Sequence, residues 1–106
     1  MAENLKPLTV TSVVIPYGKG FIYVKTTKDG KWGLPGGKLD PFEEIQAGLA
    51  RETKQETNLE IILDSFLGIW DFKSDGGNSI SNRVFYGKVI EGQPRIIKPN
   101  ECSNIK

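Results

Sequence analysis

The chain has 106 residues, a length that suits one domain and leaves no room for a second. Fourteen basic against thirteen acidic residues give a net charge of +1, which argues against binding nucleic acid polymers or anionic membranes through bulk charge. The chain has no histidine, and Cys102 is its single cysteine. This composition excludes Ser-His and Cys-His nucleophile pairs, an intrachain disulfide and a cysteine-based zinc cluster.

No run of about 18 apolar residues occurs anywhere in the sequence, so no membrane-spanning helix is predicted. Together with the single cysteine, this absence predicts a soluble protein of the reducing cytoplasm. Acid–base chemistry would depend on carboxylates, lysines or tyrosines.

The N-terminal third is predicted to form two strands and a loop. Residues 8–15 are rich in β-branched side chains, and a turn at Gly18 and Gly20 precedes a second strand over residues 21–27. After the turn dipeptide Asp29-Gly30, residues 31–41 contain so much glycine and proline that we expect no regular structure there.

The rest of the chain is predicted to form one helix and further strands. The helix runs from Glu43 to Thr57, with Asp40-Pro41 as its start signal. Residues 59–72 form one long strand or two short ones bent near Gly68, and residues 80–90 form another strand. This pattern predicts an α+β domain in which the helix packs on a mixed or antiparallel sheet.

The predicted helix carries acidic residues where its apolar stripe should continue. Ile45 and Leu49 share one face, and at about 100° per residue Glu52 and Glu56 fall within about 20° of Ile45. Two solvated glutamates are the ordinary interpretation of such a pair. Glu56, however, lies in the last turn, where a negative charge opposes the helix dipole and repels its neighbour, and a bound Mg²⁺ would remove both penalties.

A pair of glycines, Gly36 and Gly37, precedes this helix. It would let a ligand approach the backbone closely, although a plain tight turn explains two glycines equally well. A P-loop is excluded, because Trp32 and Leu39 occupy positions that require glycine and serine or threonine.

The segment from residue 37 to residue 59 resembles the Nudix box, the signature of the Nudix (MutT-like) hydrolase family. The spacing is carried by six residues: Gly37, Glu43, Arg51, Glu52, Glu56 and Leu59. Three positions depart from the family pattern: Gln55 replaces the first glutamate of a pair, Asn58 replaces a glycine, and Thr53 replaces an apolar residue. Asparagine is well suited to a left-handed helix end, whereas Gln55 removes a negative charge and implies weaker or altered metal binding.

The resemblance implies a hydrolase that uses Mg²⁺ or Mn²⁺ to cleave the diphosphate linkage of a nucleoside diphosphate derivative. Its implied metal ligands are Glu52, Glu56, Gln55 and the carbonyl of Gly37. The implied catalytic residues are Glu52 as general base, with Arg51 and Glu43 orienting the loop and helix. Lys38 and Gly36 would contact substrate phosphate, and Glu101 lies where some family members supply a further acidic ligand.

The resemblance also implies a Nudix-type α/β/α sandwich with a mixed sheet. Because the sequence ends at Lys106, we expect the C-terminal strand and helix of that fold to be lacking. The C-terminus would then be truncated, or a partner chain, such as a second copy in a homodimer, would complete the core. Two alternatives to an active enzyme stay open: a non-catalytic module that binds a nucleotide or protein, and a fragment whose activity belongs to a longer chain.

Overall fold

The computed structural model describes residues 8–27, 30–39, 42–73, 76–96 and 102–105. Within them the elements follow in the order β1 (Leu8–Val14), β2 (Pro16–Tyr17), β3 (Gly20–Phe21), β4 (Val24–Thr26), β5 (Trp32–Gly33), β6 (Gly36–Lys38), α1 (Ile45–Thr57), β7 (Glu60–Lys73), β8 (Ser79–Glu91) and β9 (Cys102–Ile105). No helix in the described part of the chain is both long and apolar enough to cross a membrane.

A four-stranded mixed sheet is the centre of the fold. Its strand order is β6-β1-β8-β7, with β1 parallel to β8 and the other two pairs antiparallel. Strand β1 is central because its β-branched residues suit a pleated, buried surface, and its side chains alternate between buried Thr11 and Val13 and half-buried Ser12 and Val14. The mixed sheet with one helix confirms the predicted fold class.

The prediction of an irregular loop over residues 31–41 is wrong in two places. Residues 32–33 form β5 against β4, and residues 36–38 form β6 against β1, where Thr11 pairs with Gly37. Because glycine is a weak strand former, the glycine content of this segment gave no indication of a strand. Strand β6 is stabilised instead by pairing with a distant segment. As a result, the paired glycines lie on the edge of the central sheet.

Residues 60–73 form a single strand rather than two. Strand β7 pairs with β8 over its whole length, and the register shifts between Glu60 and Ile61, between Leu63 and Ser65, and between Phe66 and Gly68. The bend predicted near Gly68 is therefore a β-bulge inside a continuous strand. A short C-terminal strand, β9, pairs with β4 although the polar tail after Glu91 gives no strand signal.

Helix α1 covers one face of the sheet, and the core lies between them. Within the described ranges, the cluster of buried side chains in this core has six members: Val13, Ile15, Ile22, Leu49, Leu59 and Phe85. Partly buried Ile45 packs against this core, which confirms that Ile45 and Leu49 form the sheet-facing side of the helix.

Candidate active site

The helix begins two residues later than predicted, and this shift positions Glu43. Glu44 is the N-cap, with its backbone extended and its carboxylate accepting a hydrogen bond from the N–H of Ala47 at 2.8 Å. Glu43 therefore precedes the helix, and its side chain can turn back along the first turns. The predicted start signal, Asp40-Pro41, lies outside the described residues.

Gly48 makes room for this returning side chain. A Cβ at position 48 would lie 2.5 Å from Cδ2 of Leu39 and 2.9 Å from both Cδ and Oε1 of Glu43. Such distances are well below ordinary van der Waals contact, so no larger residue fits without moving both side chains. Although the role of Gly48 is not predicted from the sequence, glycine inside a helix costs about 1 kcal/mol relative to alanine, and its presence there is a signal of close packing.

Arg51 joins three side chains around its guanidinium. Its Nε and Nη2 donate to the two carboxylate oxygens of Glu43 at 2.7 and 2.9 Å, which is the bidentate geometry that suits arginine best. Nη2 also lies 3.1 Å from Oε1 of Glu52, and Nη1 donates to Oε1 of Gln55 at 3.2 Å. The predicted pairing of Arg51 with Glu43 is therefore present.

Glu52 and Glu56 lie against the two glycines of β6. Oε1 of Glu56 accepts a hydrogen bond from the backbone N–H of Gly36 at 2.8 Å. The carboxylate of Glu52 lies so close to Gly37 that a Cβ there would be 3.3 Å from its Cδ and Oε2. The helix and the glycine pair, which the resemblance to the Nudix box combines in one site, are thus in contact.

Gly36 has a backbone conformation that allows strand β6 to lie close to strand β1. Its φ of 143° is rarely adopted by residues with side chains, and an added Cβ would lie 1.9 Å from the carbonyl oxygen of Thr11. The hydroxyl of Thr11 also donates to the carbonyl of Gly37 at 3.4 Å. Gly36 is therefore required for the approach of β6 to β1, and the interpretation as a plain turn is insufficient.

The buried stripe of α1 continues through threonines rather than through the glutamates. Thr53 and Thr57 are fully buried, and their hydroxyls donate to the carbonyls of Leu49 and Thr53 at 2.8 and 2.7 Å. The sheet-facing stripe therefore lies one position away from the one predicted at about 100° per residue, and threonine can be buried in it because its hydroxyl bonds within the helix. Glu52 and Glu56 lie beside this stripe, on the flank that faces β6.

The helix ends at Asn58, as the comparison with the family pattern predicts. Asn58 has φ 68° in the left-handed region, and its N–H donates to the carbonyl of Lys54 at 3.0 Å. Its side-chain amide donates to the carbonyl of Gln93 at 3.1 Å. Asparagine thus replaces the usual glycine without loss of the cap.

The oxygen donors near the glycine turn fit a hard divalent cation. Two carboxylates and a backbone carbonyl lie on neighbouring segments, and Mg²⁺ is usually held by one or two carboxylates together with water and substrate phosphate. Among the described residues, no group of three histidine, cysteine, aspartate or glutamate side chains converges as a complete metal cluster. Lys38 is exposed at the end of β6, and Glu101 lies outside the described residues.

Comparisons with known proteins agree with this geometry. The NUDIX domain model matches residues 6–106. The chain is 30% identical over 66 residues to a MutT-like protein of Streptomyces ambofaciens, covering 62% of this chain and 43% of that protein. It is 28% identical over 83 residues to an uncharacterized Nudix hydrolase, YvcI, of Bacillus subtilis, covering 77% of this chain and 52% of that protein.

The fold is also shared with solved structures. The crystal structure of a MutT NUDIX hydrolase from Burkholderia pseudomallei superimposes with a TM-score of 0.82 at 24% identity, covering 96% of this chain and 82% of that one. The chain spans only about half the length of the two curated relatives, 43% and 52% of them. Because the family model matches nearly the whole chain, this protein belongs to the Nudix family.

Proposed function

We propose that this protein is a divalent-metal-dependent hydrolase that cleaves the diphosphate linkage of a nucleoside diphosphate derivative, such as a nucleoside triphosphate or a nucleotide sugar. The observation that carries the proposal is the placement of Glu52 and Glu56 against Gly37 and Gly36. Membership in a family that acts on such substrates supports it. A cytoplasmic location is part of the same proposal and stays a prediction from composition.

In this proposal the carboxylates of Glu52 and Glu56 and the carbonyl of Gly37 hold Mg²⁺ or Mn²⁺. The cation would acidify a water molecule and neutralise charge on the phosphate oxygens. Glu52 would accept the proton of the attacking water, since it lies beside both the glycine turn and Arg51. Arg51 and Glu43 orient Glu52, and exposed Lys38 is available to bind a phosphate oxygen.

The direct test is phosphate release from a panel of nucleoside triphosphates, nucleotide sugars and dinucleotides, with Mg²⁺ or Mn²⁺ and with neither. We expect metal-dependent release from at least one substrate, and a loss of about 100-fold or more in Glu52→Gln, since a general base contributes about that much. Lys19→Gln, on a turn between β2 and β3, is the control for removing a surface charge. Nucleotide binding without metal-dependent release of phosphate would overturn the proposal that the protein is a hydrolase.

A second candidate is a module that binds a nucleotide without hydrolysing it. The contact between Gln55 and Arg51 favours it, because an amide stands where the family places a carboxylate. A thermal-shift screen against nucleotides separates the two candidates, since a binding module is stabilised by a nucleotide that it leaves intact. The chain spans about half the length of its curated relatives. A third candidate is therefore a fragment whose activity belongs to a longer chain.

We also propose that the protein forms a homodimer through strand β7. This strand is an edge of the four-stranded sheet, and between residues 66 and 72 it carries five large apolar side chains that are 46–54% exposed: Phe66, Leu67, Ile69, Trp70 and Phe72. Half-exposed side chains of this size present on the order of 500 Å² per copy. Two copies would bury on the order of 1,000 Å², which is where specific interfaces begin.

A further inference from the structure

Gln55 occupies a metal-ligand position of the family pattern, yet its oxygen is directed at Arg51. Oε1 of Gln55 accepts a hydrogen bond from Nη1 of Arg51 at 3.2 Å, one helical turn away. The only other polar atom of this side chain is an amide nitrogen, which donates and cannot bind a cation. The oxygen that would bind a metal ion is therefore already bonded to a cationic group through one of its two lone pairs.

The charge of Arg51 makes this oxygen a poor place for a second cation. A guanidinium is always protonated, and a divalent ion bound to the same amide oxygen would lie within a few ångströms of it. One carboxylate oxygen of Glu56 accepts a hydrogen bond from the uncharged N–H of Gly36. Glu52 also contacts Arg51, but its carboxylate is negatively charged and lies against Gly37, whereas Gln55 offers a neutral oxygen. The two glutamates therefore suit a cation better than Gln55 does.

The amide also leaves the ion pairs of Arg51 undisturbed. The guanidinium already contacts the carboxylates of Glu43 and Glu52, whose side chains are 16% and 21% exposed. A third carboxylate at position 55 would compete for the same positive charge and repel its neighbours. The neutral amide oxygen accepts a hydrogen bond from Nη1 without competing for this charge and without repelling the two carboxylates.

We propose that Gln55 is a positioning residue that fixes the Arg51 guanidinium, and that it is not a metal ligand. The cation site then consists of Glu52, Glu56 and the Gly37 carbonyl. The claim about the cation rests on the proposed function, whereas the claim about Arg51 does not.

Two measurements on the same variants test the proposal. In nitrogen-edited NMR spectra, the guanidinium signals of Arg51, assigned by their loss in Arg51→Lys, should exchange about fivefold faster in Gln55→Ala, and equally so in Gln55→Met, which keeps the length of the side chain but has no amide oxygen. In a titration with Mn²⁺ alone, followed by electron paramagnetic resonance of the free ion, Gln55→Ala should change the dissociation constant by less than about threefold. Glu56→Gln, which removes a proposed ligand charge, should weaken binding by about tenfold or more.

Unchanged Arg51 signals in Gln55→Ala, or a loss of Mn²⁺ affinity as large as that of Glu56→Gln, would overturn the proposal. If the unmodified protein binds no Mn²⁺, the proposed function fails, and the Arg51 signals alone then decide whether Gln55 positions the guanidinium.

Discussion

The Oε1 atom of Glu56 accepts a hydrogen bond from the backbone N–H of Gly36 at 2.8 Å, across 20 residues of sequence. This contact ties the last turn of the helix to the edge strand β6. It places a helix carboxylate next to the backbone of the glycine pair.

Replacing Arg51 by lysine should disable the site, because an ammonium cannot bond both oxygens of Glu43 while also reaching Glu52 and Gln55. We expect metal-dependent phosphate release to fall by about tenfold or more, with a loss of about 1–3 kcal/mol in the free energy of unfolding. Activity assays and urea denaturation measure the two effects. The control is Lys54→Gln, since the exposed pair of Lys54 and Glu60 at 3.5 Å should contribute little.

Gly36→Ala should destabilise the protein by about 3 kcal/mol or more, because a Cβ would lie 1.9 Å from the Thr11 carbonyl oxygen and the backbone has φ 143°. Urea denaturation measures the loss. Gly33→Ala is the matched control, since a Cβ there meets nothing within 4 Å. Equal stability of the two variants would contradict the close approach of β6 to β1.

Gly48→Ala should reduce activity more than stability. The new Cβ would displace the carboxylate of Glu43 from Arg51, while alanine contributes about 1 kcal/mol in helix propensity that offsets the lost contacts. We expect a fall in kcat of about tenfold, measured with a melting temperature on the same sample. Full activity of Gly48→Ala would show that activity does not depend on the position of the Glu43 carboxylate beside Gly48.

The two buried threonines should respond differently to valine. Thr57→Val removes the acceptor of the Leu59 N–H, which donates to the Thr57 hydroxyl at 3.2 Å, so it should cost about 1–3 kcal/mol of stability. Thr53→Val removes only a hydroxyl that bonds back to the Leu49 carbonyl, so it should change stability by about 0.5 kcal/mol or less. Chemical denaturation of both variants tests the difference, and the reverse order would contradict it.

Trp70→Lys should convert the proposed dimer to a monomer, because Trp70 is 54% exposed on β7 and a lysine there would place a charge in the interface. Light scattering after size-exclusion chromatography measures the mass. Phe21→Lys is the control, since Phe21 is 47% exposed on β3, away from the proposed contact. A monomeric unmodified protein would refute the dimer.

Local sequence determined the segments that carry the chemistry. The spacing from Gly37 to Leu59, the helix, and the left-handed end at Asn58 follow from residue types within a few positions of one another. The pairing of Arg51 with Glu43 was implied by the resemblance to the Nudix box, whose residues all lie in this one short segment. Such features depend on local backbone preference, which a sequence displays directly.

Only the tertiary structure decided how these segments meet. That Gly36-Gly37 form an edge strand, that Glu56 bonds to it, and that threonines rather than glutamates face the sheet all depend on pairing with β1, which comes from a distant part of the sequence. Contacts between distant residues are selected by the packing of the whole domain, and no single segment encodes them.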